Sequence, residues 1–100
     1  MPARIDIDRE KIAEVCRRHR VKKLSLFGSV LRDDFDPETS DVDVLVEFQP
    51  GARMGYFGIG RMIVELREML GRDVDLRTPD ELSRCFREYV MRDAEVQYAA

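Results

Sequence analysis

The chain has 100 residues, 44% hydrophobic and 37% charged, the proportions of one globular domain with a single core and little surface left for a second activity. No segment approaches the roughly 18 uninterrupted apolar residues of a membrane span, and the opening Met1-Pro2-Ala3-Arg4-Ile5-Asp6 lacks an apolar signal core, so a cytoplasmic protein without membrane contact is expected. The net charge of -3 divides unevenly: residues 1–32 carry nine Lys/Arg against four Asp/Glu, and residues 33–50 carry seven acids and no base, which suits a metal and polyphosphate site better than a broad basic nucleic-acid face.

In chain order, Asp8 is placed to cap a first helix along which Ile12, Val15, Cys16 and His19 recur at helical spacing, with Ile7 and Ile12 as a hydrophobic staple across the cap. His19 is the only histidine, so a Ser/His/Asp triad or a histidine-rich metal site would have to run through it, and on the apolar stripe it is expected to be packed or capping. Arg17, Arg18, Arg20, Lys22 and Lys23 read as a solvated helix end favoured by the helix dipole, with a partner-facing basic patch as the other reading. Cys16 and Cys85 lie in apolar helical patterns without a C-x-x-C spacing, and both are expected to be buried free thiols.

Residues 21–27 have a strand pattern that ends at Gly28. Gly28-Ser29 followed by Val30-Leu31-Arg32 then reads as a tight turn into a short helix, which presents backbone N–H groups where phosphate binds readily. Residues 33–40, with Pro37, form an expected surface loop. It does not work as an EF-hand, because a loop starting at Asp34 has Thr39 where glycine is required and Leu45 in place of the final glutamate.

A second strand covers about 42–48, and side-chain alternation puts Asp41 and Asp43 on one face and Val42, Val44, Val46 and Phe48 on the other. Gln49-Pro50-Gly51 is turn chemistry. Gly55, Gly58 and Gly60 do not fit G-x-G-x-x-G and read as the start of a helix whose apolar face is Ile59, Met62, Ile63, Leu66, Met69 and Leu70, closed by Gly71. A third strand fits 73–77, with Val74 and Leu76 inward and Asp73 and Asp75 opposite. Thr78-Pro79-Asp80-Glu81 is a capping box for a final helix with Leu82, Cys85, Phe86, Tyr89 and Val90 as its apolar face. No repeat, linker or low-complexity stretch divides the chain, so residues 1–100 are read as one domain.

Asp41 and Asp43 on one strand face can chelate a hard cation such as Mg²⁺ against a triphosphate, Gly28 and Ser29 can bind phosphate oxygens, and Asp75 can complete the metal set near the attacking hydroxyl or help deprotonate it. Arg32, one helical turn past the glycine, could neutralise a phosphate. Two metal ions clamping the attacking and leaving oxygens leave little covalent chemistry to the protein. The plainer alternative is an Asx turn at Asp41 with Asp43 solvated at an edge, and Ser29 as a simple cap. No Gly-Lys-Ser/Thr occurs, which excludes a P-loop.

Three segments in order, Leu26-Phe27-Gly28-Ser29-Val30-Leu31-Arg32, Ser40-Asp41-Val42-Asp43-Val44-Leu45-Val46 and Gly71-Arg72-Asp73-Val74-Asp75-Leu76, resemble the minimal nucleotidyltransferases of the DNA polymerase beta superfamily. The resemblance implies an α+β fold, a small mixed β-sheet flanked by helices. Gly28-Ser29 would be its nucleotide-binding turn, Asp41 and Asp43 its metal ligands and Asp75 its third carboxylate, with ATP as substrate. Many members of that family are antitoxins thought to transfer AMP to a tyrosine of a helical HEPN ribonuclease toxin, so such a toxin is the expected partner. An antitoxin that masks its toxin by binding alone, through apolar residues such as Tyr56, Phe57, Met91 and Tyr98, and transfer to a small molecule are the alternatives.

Overall fold

The computed structural model describes residues 7–31, 36, 41–52 and 55–100, and so leaves out Arg32 and, apart from Asp36, the 33–40 loop. Among these residues the chain forms α1 (Arg9–Arg18), β1 (Val21–Phe27), β2 (Val42–Phe48), α2 (Tyr56–Leu70), β3 (Val74–Arg77), α3 (Arg84–Asp93) and β4 (Glu95–Ala99). The strands lie in the order β3-β2-β1-β4. β1 is antiparallel to both β2 and β4, whereas β2 and β3 run parallel, a pairing that needs a long crossover connection, here the one that carries α2. This is the α+β fold, a mixed sheet flanked by helices, that the resemblance implies.

The Asp8 carboxylate caps α1 by accepting from the backbone N–H groups of Glu10 and Lys11 at 3.1 and 3.2 Å, and Ile7 packs with Ile12 against the core. Alternation along β1 breaks at a register shift between Val21 and Lys23. That bulge lets Val21 face the same side as Leu24 and Leu26 despite the odd spacing. With Val42, Val44 and Val46 of β2, these residues pack under Met62 and Leu66 of α2 and under Ile12 and Cys16 of α1. Burial pushes the Cys16 thiol up to about 12, so it stays protonated and unreactive. Gly71 ends α2 in the left-handed region (φ 70°), and its N–H donates to Arg67 O at 2.8 Å.

His19 closes α1 and is buried. Its Nε2 pairs with Glu65 Oε2, while Arg18 donates to Glu65 Oε1, and together they tie α1 to α2. The His19 hydrogen bond, with charge attraction from His19, Arg18 and Arg61 adding to it, holds the Glu65 carboxyl below its usual range.

Two expectations are corrected, and one strand is added. The Thr78 capping box forms, with Glu81 Oε1 accepting from Thr78 N at 3.2 Å and Oγ1 at 3.1 Å, but it opens only a 3₁₀ turn, Pro79–Glu81. Leu82 and Ser83 are extended, and α3 starts afresh at Arg84. Arg87 bridges the break by donating to the carbonyls of Pro79 at 2.7 Å and Leu82 at 3.3 Å. The break rotates the final helix, so Leu82 and Val90 are buried while Cys85, Phe86 and Tyr89 are exposed. Cys85 is therefore a surface thiol. Finally, a strand after that helix, β4, completes the sheet edge beside β1. Gln97 is buried there, and Ala100 N donates to Lys22 O at 2.8 Å.

Candidate active site

The face of the sheet turned away from α1 and α2 carries the carboxylates. Asp43 lies in the middle of three neighbouring strands: Phe27 of β1 is its register partner on one side and Asp75 of β3 on the other. Because β2 and β3 are parallel and in register at this pair, the two aspartates project side by side across one strand spacing of about 4.8 Å. Val74 and Leu76, flanking Asp75, pack into the opposite core and fix which way Asp75 faces.

Gly28 follows β1 directly with φ of +75°, in the left-handed region, and a Cβ there would overlap Asp43 Oδ2. Two independent constraints thus require glycine, one from the backbone and one from the space taken by the carboxylate. Ser29 is half-buried in the 3₁₀ turn Gly28–Leu31, which Val30 and Leu31 anchor in the core.

Two carboxylates in register repel, and Arg77 answers them. It lies two residues beyond Asp75 on the same face of β3, with Nε donating to Asp75 Oδ1 at 3.0 Å and Nη2 to Oδ2 at 3.5 Å. Its Nη1 stands 3.9 Å from Glu81 Oε2. The Asp75 hydrogen bond, then the charges of Asp75, Glu81 and Asp43, raise the Arg77 pKa above the ordinary arginine value. Asp43, Asp75, Arg77 and Glu81 line a cavity of about 380 Å³ whose apolar walls include Phe27, Leu82 and Phe86. A larger hollow of about 490 Å³ lies at the C-terminal end of α2, but its lining has no two carboxylates in strand register, whereas the smaller cavity has Asp43 and Asp75, which makes the smaller one the candidate site.

The structure thus brings together Gly28, Asp43 and Asp75. Asp41 is exposed just ahead of β2 and is not among the cavity's lining residues. Among the described residues no three Asp, Glu, His or Cys side chains converge as a metal cluster. Asp43 and Asp75 nevertheless offer hard oxygen donors on a rigid mount, the donor type Mg²⁺ takes. Arg32 lies outside the described residues. Arg77 and Glu81 were not singled out for the site from the sequence, although alternation from Asp75 to Arg77 was a legible signal.

A family model described as the nucleotidyltransferase domain matches residues 9–97, from α1 through most of β4. The chain belongs to the nucleotidyltransferase domain family. This nucleotidyltransferase is 35% identical over 86 residues to MJ0435 of Methanocaldococcus jannaschii, named as a candidate protein adenylyltransferase, covering 86% of this chain and 89% of that one. A solved structure described as a minimal nucleotidyltransferase superposes with a TM-score of 0.72 at 35% identity, over 86% of this chain and 85% of its own. The tri-AMPylated Shewanella oneidensis HEPN toxin in complex with MNT antitoxin matches with a TM-score of 0.64 at 20% identity, over 92% of this chain and 70% of that one, a likeness of fold.

Proposed function

We propose that this nucleotidyltransferase is the Mg²⁺-dependent antitoxin of a toxin–antitoxin pair and transfers AMP from ATP to a tyrosine of a HEPN-type ribonuclease partner. The observation that carries the reading is the Asp43/Asp75 pair, aligned in register on one cavity wall with Asp43 packed against Gly28. The name of the M. jannaschii relative supports protein adenylylation, and the fold shared with the S. oneidensis complex supports the antitoxin role.

In this reading Asp41, Asp43 and Asp75 hold the metal, with two ions expected. Bound Mg²⁺ would neutralise charge on the triphosphate and lower the pKa of the attacking hydroxyl. Gly28 and Ser29 bind phosphate oxygens through backbone N–H groups and the Ser29 hydroxyl, and Arg32 adds a positive charge. The tyrosine oxygen forms a bond to the α-phosphorus, the α–β bridging P–O bond breaks, pyrophosphate leaves, and Asp75 takes the hydroxyl proton.

Intact-mass spectrometry of a co-expressed HEPN-type partner tests this. Mass additions matching AMP are expected with the wild-type chain, together with a loss of about a thousandfold or more in transfer with Asp41→Asn/Asp43→Asn. A partner left unmodified by the wild type, yet retained in a tight complex, would favour the second reading, masking without chemistry. Phe57, 95% exposed, and the exposed Met91 are the observations that favour it, although Tyr98 packs partly into the chain's own core.

A further inference from the structure

Resting on that metal-site reading, the geometry points to Arg77 as an exchangeable clasp: in the free protein its guanidinium occupies Asp75, and on nucleotide loading it passes to the triphosphate. Arg77 is the only basic side chain lining the Asp43/Asp75 cavity among the described residues. Its fork lies on both oxygens of one carboxylate, at 3.0 and 3.5 Å, and its third nitrogen reaches Glu81 only at 3.9 Å. A guanidinium fork fits a phosphate as well as a carboxylate, so the same donors can serve both partners.

The pair has little to do with stability, because both side chains are close to half exposed and such pairs contribute little to folding. Its electrostatic role is plainer. Asp43 and Asp75 stand in register, and without a cation between them each would oppose the other's charge. A divalent cation and Arg77 therefore compete for Asp75. When the cation arrives with a polyphosphate, the displaced guanidinium finds a new anion within the same cavity. The clasp thus weakens binding of metal alone and strengthens binding of metal with nucleotide, which couples the two ligands.

The test measures Mn²⁺ binding by electron paramagnetic resonance without nucleotide, and Mg²⁺-dependent binding of a non-hydrolysable ATP analogue by calorimetry, on the full chain. Arg77→Met is expected to bind Mn²⁺ alone about three- to tenfold more tightly and the analogue about tenfold more weakly. Arg77→Lys, which keeps the charge but not the fork, should fall between Met and wild type in both, and it serves as the measured variant if Arg77→Met fails to melt cooperatively. Unchanged or weaker Mn²⁺ binding in the variant overturns the clasp, and unchanged analogue binding overturns the transfer to phosphate. Asp43→Asn separates this failure from that of the functional reading: if it leaves Mn²⁺ affinity at the wild-type value, the metal site itself is wrong and both fall. If it abolishes binding while the Arg77 variants match wild type, only the clasp falls.

Discussion

On the face of the sheet covered by α1 and α2, Leu24, Leu26, Val44 and Val46 are at most 1% exposed and share one cluster with Met62 and Leu66. On the opposite face, among the described residues, Phe27, Leu45, Leu82 and Val90 form a smaller buried cluster, and beside it stand Asp43, Asp75 and Arg77 around open space. The two faces share the same strands, and alternate residues of β2 serve each. The first face makes the strands rigid, and that rigidity holds the second face's carboxylates in register even though little there is buried.

This contrast can be broken from either side. Leu26→Ala should cost about 3–4 kcal/mol by leaving a cavity in the larger cluster, whereas Leu82→Ala, on the thinner face, should cost about 2 kcal/mol; urea denaturation of both variants checks the order, and equal losses would erase the distinction. Gly28→Ala joins the two faces at the strand end. A side chain at positive φ should cost about 1–2 kcal/mol, and because its Cβ would displace the Asp43 carboxylate, nucleotide transfer should fall by a larger factor than stability does. A variant with normal transfer would show that Asp43 does not need its present position.

The smallest effect concerns the tie between α1 and α2. The Glu65 carboxyl is held below its ordinary value of 4.5 by His19, so the folded state binds this proton less readily than the unfolded state. Its stabilisation is fully present above that ordinary value and is lost as pH falls through the lower folded value. Glu65→Gln should cost about 1 kcal/mol near neutrality and should lose less stability than wild type on going from about pH 7 to about pH 3. Parallel acid limbs would assign the interaction no role in pH dependence.

Some of this layout could be read from local pattern because local chemistry enforces it. Asp8 as a cap, β1 ending at Gly28, β2 with its valine face, and Gly71 closing α2 each depend on residues within a few positions of one another. Alternation along β2 also put Asp43 on the face opposite Val42, Val44 and Val46, while Asp41 falls just outside the strand. The Thr78 box and the apolar residues after it form a continuous helical pattern, whereas the break at Leu82 is sustained by Arg87 reaching back to two carbonyls. β4 has no comparable local signal: a five-residue edge strand gains its order from pairing with β1, some seventy residues earlier in the chain.

The sequence by itself determined α1, α2, the first three strands and the glycine turn, and it marked Asp43 and Asp75 as candidates, since periodicity and turn chemistry act over short distances. Only the tertiary structure decided that β3 lies parallel to β2 with Asp75 opposite Asp43, that Asp43 fills the space a Gly28 side chain would need, and that Arg77 holds Asp75. Register between strands separated by a helix is set by how that helix packs across the sheet, a balance of contacts that no local pattern encodes.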